Sequence, residues 1–161
     1  MNNEEVTQLN FEGQEFSPVE VTLVAAATST LAALNSLKCA NNPGMVGELE
    51  YGRLKTPDAH AEVFKQLTDN LKTSQVTEVD FSSCGIGPVA LGHLSEWVRE
   101  ATAVLNSVTL DSTGVPELTK GSISAVEASG PRTYTLSVGE EKIDLSQKNL
   151  GSADVALVAA W

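Results

Sequence analysis

Along residues 76–87, VTEVDFSSCGIG, apolar side chains fall at Val76, Val79 and Phe81 and are followed by Cys84 and Ile86. The order is apolar, two residues, apolar, one, apolar, two, cysteine or asparagine, one, apolar. Val79 and Phe81 flank Asp80, so this spacing predicts a short strand with both apolar side chains on one face. The same order recurs at Leu105, Val108, Leu110, Thr113 and Val115, and at Val6, Leu9, Phe11, Gln14 and Phe16. It recurs at Leu34, Leu37, Cys39 and Asn42, with Met45 one place late. Near the end it recurs at Ile143, Leu145 and Leu150, where Glu140 replaces the first apolar residue and Lys148 the asparagine. The windows begin near 6, 34, 76, 105 and 140. The steps from 6 to 34 and from 76 to 105 share one period, and the longer steps imply insertions near 43–55 and 129–141. In the second insertion Tyr134, Leu136 and Val138 alternate with polar residues. They predict a strand that turns at Gly139-Glu140 into a further strand over Lys142–Leu145.

Between the predicted strands the period changes to that of a helix. Ser17-Pro18-Val19-Glu20 reads as a capping box with proline at the first helical position. Thr56-Pro57 and Gly87-Pro88 predict two further helix starts. His60, Phe64, Leu67 and Leu71 share one helical face, as do Ala90, Leu94, Trp97 and Ala101. A fourth helix, over about 116–128, is weakened by Gly121 and several serines. A fifth begins with Ser152 as its cap.

Five such windows resemble the leucine-rich repeat, and a period of 28 or 29 residues resembles its ribonuclease-inhibitor-like class. The match is most specific over residues 76–116. It departs from the family pattern where Gln14, Thr113 and Lys148 stand for asparagine or cysteine, at Met45, and at Glu140. The resemblance implies one domain over 1–161. That domain would be a right-handed β-α solenoid, a horseshoe with parallel strands on its concave face and helices on its convex face. The five strands would be Leu9–Phe11, Leu37–Cys39, Val79–Phe81, Val108–Leu110 and Ile143–Leu145. The residue at the asparagine or cysteine position would satisfy backbone groups of the neighbouring turn. Cys84 is therefore expected to be structural.

A chain of 161 residues fits a single domain with a real core. Aromatic residues make up only 5%, so the core must be aliphatic. The formal net charge of −11 argues against a nucleic-acid partner and for partners with basic patches. The apolar stretch over 19–34 is too short and too interrupted by threonine and serine to enter a membrane. No targeting segment is visible. Two cysteines make no disulfide framework, and the protein is expected to be intracellular and cytoplasmic.

Nothing in the chain calls for catalysis, a cofactor or a metal. His60 and His93 fall on different predicted helices, with no cysteine or histidine at ligand spacing. Gly85-Ile86-Gly87 lacks the lysine and hydroxyl of a phosphate loop. Glu78, Asp80 and Asp111 have no apolar setting readable in sequence that would raise their pKa.

What remains is the concave face that the resemblance implies. Template position assigns to it Glu12, Lys38, Glu78, Asp80, Asp111 and Asp144, a mostly acidic set suited to a protein with basic groups. The expected function is a non-catalytic interaction module or scaffold. One alternative is a structural subunit of a larger assembly, docked through uncapped ends and the insertions. VALVAAW, 155–161, nearly repeats VTLVAAA, 21–27, and no polar capping repeat is evident at either end. Val155, Leu157, Val158 and Trp161 are accordingly expected to be partly exposed, open to end-to-end contact with another subunit or copy. A second alternative is an enzyme regulator, such as the GTPase-activating proteins built on this repeat class.

Overall fold

Ser17 opens the first helix in the computed structural model of the chain, which describes residues 5–50, 53–101, 104–114 and 131–161. Its backbone amide donates to Glu20 Oε2 at 2.8 Å, its hydroxyl donates to the same carboxylate, and Pro18 begins the helix, α1, over Pro18–Thr30. The Ser17 hydroxyl, and then the amide, hold the Glu20 carboxyl below its usual range. Among the described residues three more helices follow: α2 over Ala61–Leu71, α3 over Pro88–Ala101 and α4 over Ser152–Ala160. Pro88 is tolerated because the first helical position has no intrahelical use for its amide.

The strands are β1 (Gln8–Asn10), β2 (Ser36–Lys38), β3 (Glu48–Glu50), β4 (Arg53–Thr56), β5 (Glu78–Asp80), β6 (Ser107–Asp111) and β7 (Thr133–Ser137). Five of them form one sheet in the order β1-β2-β5-β6-β7, and β3 and β4 form a separate antiparallel pair. The first four strands of the large sheet are parallel. Leu9, Leu37, Val79 and Val108 stand level across them.

The helices lie side by side in chain order, each packing on the next. Their inner faces meet the aliphatic face of the sheet. Leu37, Val79, Val108, Leu110 and Leu136 from the strands join Phe64, Leu67, Leu94, Trp97 and Leu157 from the helices in one core. The Phe64 and Phe81 rings meet edge to face with centroids 5.2 Å apart. Asn70 Nδ2 donates to Ala25 O at 2.8 Å and ties α2 to α1; Lys72 reaches Glu100 of α3 at 3.3 Å.

The expectation of an all-parallel horseshoe solenoid is overturned at β7. This strand runs antiparallel to β6, from Ser107 opposite Ser137 to Asp111 opposite Thr133, so the sheet is mixed and the molecule is a small α/β domain. Ile143–Leu145, expected as the fifth parallel strand, has no strand structure. The reason lies in composition. Thr133-Tyr134-Thr135-Leu136-Ser137 is a run of β-branched, aromatic and small residues with clean alternation, and Tyr134 and Leu136 are buried. It takes the hydrogen-bonding edge of β6 that the later segment would have needed. Ile143 and Leu145 instead rest partly buried against the core.

Three smaller expectations are also corrected. Thr56-Pro57 does not open a helix. Thr56 pairs with Glu48 in the β3–β4 hairpin, a turn follows, and α2 starts at Ala61. The stretch expected as a loop insertion, 43–55, thus carries that hairpin. Met45, out of step with the template, is accommodated by a turn in which its amide donates to Asn42 O at 3.0 Å, and both Met45 and Val46 are fully buried. At the last helix Leu157 is fully buried, whereas Val155 is exposed and Val158 and Trp161 are half-buried. The fourth helix expected over 116–128 lies outside the described residues. Among the described residues no helix is long and apolar enough to cross a membrane.

Candidate interaction face

Strand alternation decides which side chains leave the core. Leu9, Leu37, Val79, Val108 and Leu136 point to the helices, so their neighbours point the other way. Pairing register sets these neighbours in two rows. One is Gln8, Ser36, Glu78, Ser107 and Ser137; the other is Asn10, Lys38, Asp80, Thr109 and Thr135. Both rows are entirely polar. All but Ser36 are half-buried or exposed. Hydroxyls bridge parts of this face: Thr109 Oγ1 and Thr135 Oγ1 lie 2.8 Å apart.

The structure divides the six residues expected to bind a partner. Glu78 and Asp80 stand on β5 of this face, and Lys38 on β2 is level with Asp80. Asp111, at the end of β6, has both oxygens engaged: Oδ2 accepts the Ser83 amide at 2.8 Å and Oδ1 accepts the Thr133 hydroxyl at 2.7 Å. It pins the turn after β5, where Ser83 has a φ of 54°. Glu12, in the turn after β1, accepts Asn41 Nδ2 at 2.9 Å. Asp80 Oδ1 accepts the amide and hydroxyl of Ser82 at 3.0 and 2.7 Å. Asp144 is not on the sheet, since its segment forms no strand. It lies in a local turn, where Ser146, chiefly through its hydroxyl, holds the Asp144 carboxyl below its usual range.

At the ends of the strands, polar side chains satisfy the backbone as expected for Asn42. Its Oδ1 accepts the Phe16 amide at 3.0 Å, and its Nδ2 donates to Phe11 O at 2.9 Å and Cys39 O at 2.8 Å. Cys84 Sγ donates to Cys39 O at 3.0 Å. Burial, aided by Asp80, pushes the Cys39 thiol up to about 12, and burial raises Cys84 as well. Both cysteines are therefore protonated at neutral pH, and neither is a ready nucleophile.

Two carboxylates do similar work that sequence reasoning missed. Asp58 receives the Gly87, Val89 and Ala90 amides at 2.8–3.0 Å, and so caps α3 from a distant turn. Asp154, fully buried, receives the Thr113 amide and hydroxyl, the Tyr134 hydroxyl and the Gly151 amide at 2.7–2.8 Å. Thr113 was expected to satisfy a turn by its hydroxyl; it bonds this carboxylate instead. The only local signal for Asp154 is its place three residues after Gly151, the acidic position of a capping box.

Among the described residues no group of three or more histidine, cysteine, aspartate or glutamate side chains is placed to hold a metal ion. Comparison with protein-family models, with curated proteins and with solved structures finds no match to this chain.

Proposed function

We propose that the protein is a non-catalytic interaction module that binds a basic protein segment on the open face of its sheet. One observation carries the reading: the face opposite the helices is polar throughout, and Glu78 and Asp80 stand at its centre with Lys38 as the one cation in the two rows. A broad polar surface of this kind fits another protein better than a small molecule, which favours an apolar concave pocket. The wider charge of −11 adds long-range attraction for basic partners. Of the six expected residues, Glu78 and Asp80 carry the interaction. Asp111 and Glu12 hold turns, and Asp144 takes no part in it.

The test is fluorescence anisotropy with a labelled oligolysine peptide, run beside an oligoglutamate peptide. Oligolysine should bind, more weakly as salt rises, and should lose most of its affinity for Glu78→Lys/Asp80→Lys protein that remains folded. Equal binding to the parent and the double variant would remove the face from consideration.

A second reading, a subunit docked through its end helices, is favoured by Val19 and Leu23. They lie one turn apart on α1 and are each 66% exposed. Light scattering on Leu23→Glu protein separates the two. A change in mass without a change in oligolysine affinity would support docking through α1.

A further inference from the structure

Ser36 is out of character on the open face. It belongs to an otherwise accessible polar row, yet it is 2% exposed, lying between Gln8 and Glu78. Its amide is bonded to Thr7 O, but its hydroxyl has no hydrogen-bond partner among the described residues. Ser36 lines a depression of about 210 Å³, whose polar lining also includes Lys38, Glu78, Asp80, Ser107 and Thr109 beside Leu37 and Val79.

We infer that this depression is a receptor for a single arginine side chain presented by the partner. The inference rests on the proposed function and names the group that the face recognises. Size is the first argument. The volume lies below the roughly 300–1,000 Å³ of small-molecule pockets, which leaves room for one side chain rather than a whole ligand. Charge is the second. The Glu78 carboxylate makes no ion pair or hydrogen bond among the described residues, and the Asp80 carboxylate uses only Oδ1, on Ser82. Two carboxylates thus face one ammonium, that of Lys38, so the site is net negative and takes a cation.

The arrangement of acceptors selects the kind of cation. Glu78, Asp80 Oδ2, Ser36 and Ser107 offer acceptor atoms from two different rows and three different strands. A guanidinium presents five donors in a fixed planar fork and can reach several such acceptors at once. An ammonium has three donors around one point and satisfies fewer of them. Lys38, level with Asp80, crowds a compact charge more than a delocalised one.

The experiment is amide NMR on the whole chain, titrated with a short neutral peptide carrying one arginine, with its citrulline twin and with its lysine twin. The arginine peptide should shift the amides of Ser36, Glu78, Asp80, Ser107 and Thr109, and should bind at least roughly tenfold more tightly than either twin. Ser36→Ala, which removes only the hydroxyl, should lower that preference, and Glu78→Gln should lower arginine affinity outright. Equal binding of arginine and citrulline peptides, or shifts centred elsewhere, would overturn the receptor. If oligolysine still binds the face in that case, the broader interaction module stands without it. If oligolysine also fails, both readings fall.

Discussion

Asp154 accepts the Tyr134 hydroxyl at 2.8 Å in a place where neither residue is more than 3% exposed. This bond joins α4 to β7, and the Thr113 bonds to the same carboxylate join α4 to the end of β6. The last helix is therefore held by a buried polar knot as well as by Leu157.

Tyr134→Phe removes one bond to a charged group and should cost about 1.5–3 kcal/mol in urea unfolding. Asp154→Ala strips all four bonds and leaves Thr113 and Tyr134 without partners, so its cost should be larger. A Tyr134→Phe protein as stable as the parent would show that the knot does not hold α4.

The same buried groups set an alkaline limit. Burial, and then the Asp154 carboxylate, push the Tyr134 hydroxyl above its ordinary value, and burial raises both thiols. Groups whose pKa is raised on folding contribute fully below the unfolded pKa and cost stability as pH rises beyond it. Stability should hold to about pH 9, where the unfolded thiols begin to ionise, and fall steadily toward the value of about 12 reached by Cys39. Urea midpoints across that range should fall less in Cys39→Ala/Cys84→Ala protein. A flat profile above pH 9 would contradict the burial of these groups.

Much of this architecture was readable from spacing. Leu37, Val79, Val108 and Leu110 are core residues of the parallel strands, Cys39 and Phe81 are buried just beyond two of them, and Ser17 caps its helix through local chemistry alone. Strand direction was not readable. Tyr134 and Leu136 announce a strand, but alternation is identical for parallel and antiparallel pairing, and only competition for the β6 edge decides between them. The two polar rows followed from alternation around the core residues for the four parallel strands, but not for Thr135 and Ser137 on β7. The roles of Asp58, Asp111 and Asp154 did not, because all their partners except Gly151 lie 20–41 residues away. The depth of Ser36 depends on neighbours from two other strands, which no local pattern contains.

Gly85 and Gly139 provide a controlled comparison. Both have positive φ, 76° and 86°, but a Cβ at Gly85 would lie 1.8 Å from Gly47 O, whereas nothing lies within 4 Å at Gly139. Gly139→Ala should cost only the backbone strain, about 1–3 kcal/mol. Gly85→Ala should cost clearly more, because the clash is with backbone. Thermal melts giving equal losses would show that 47 and 85 do not approach closely.

Phe81→Ala should cost roughly 3–5 kcal/mol, as a buried aromatic truncation. A double-mutant cycle with Phe64→Ala should return about 0.5–1.5 kcal/mol of coupling for the edge-to-face pair. Additive losses would place the two rings out of contact.

The most direct measurement for the open face is the salt dependence of oligolysine binding to parent and Glu78→Lys/Asp80→Lys protein. Parent affinity should fall steeply as salt rises, through slower association, because the attraction between exposed charges is screened over about 8–10 Å near physiological ionic strength. The double variant should bind weakly at every salt concentration, with the slope largely gone and its unfolding midpoint little changed. Parent and variant curves that coincide would show that the acidic centre of the sheet does not bind the partner.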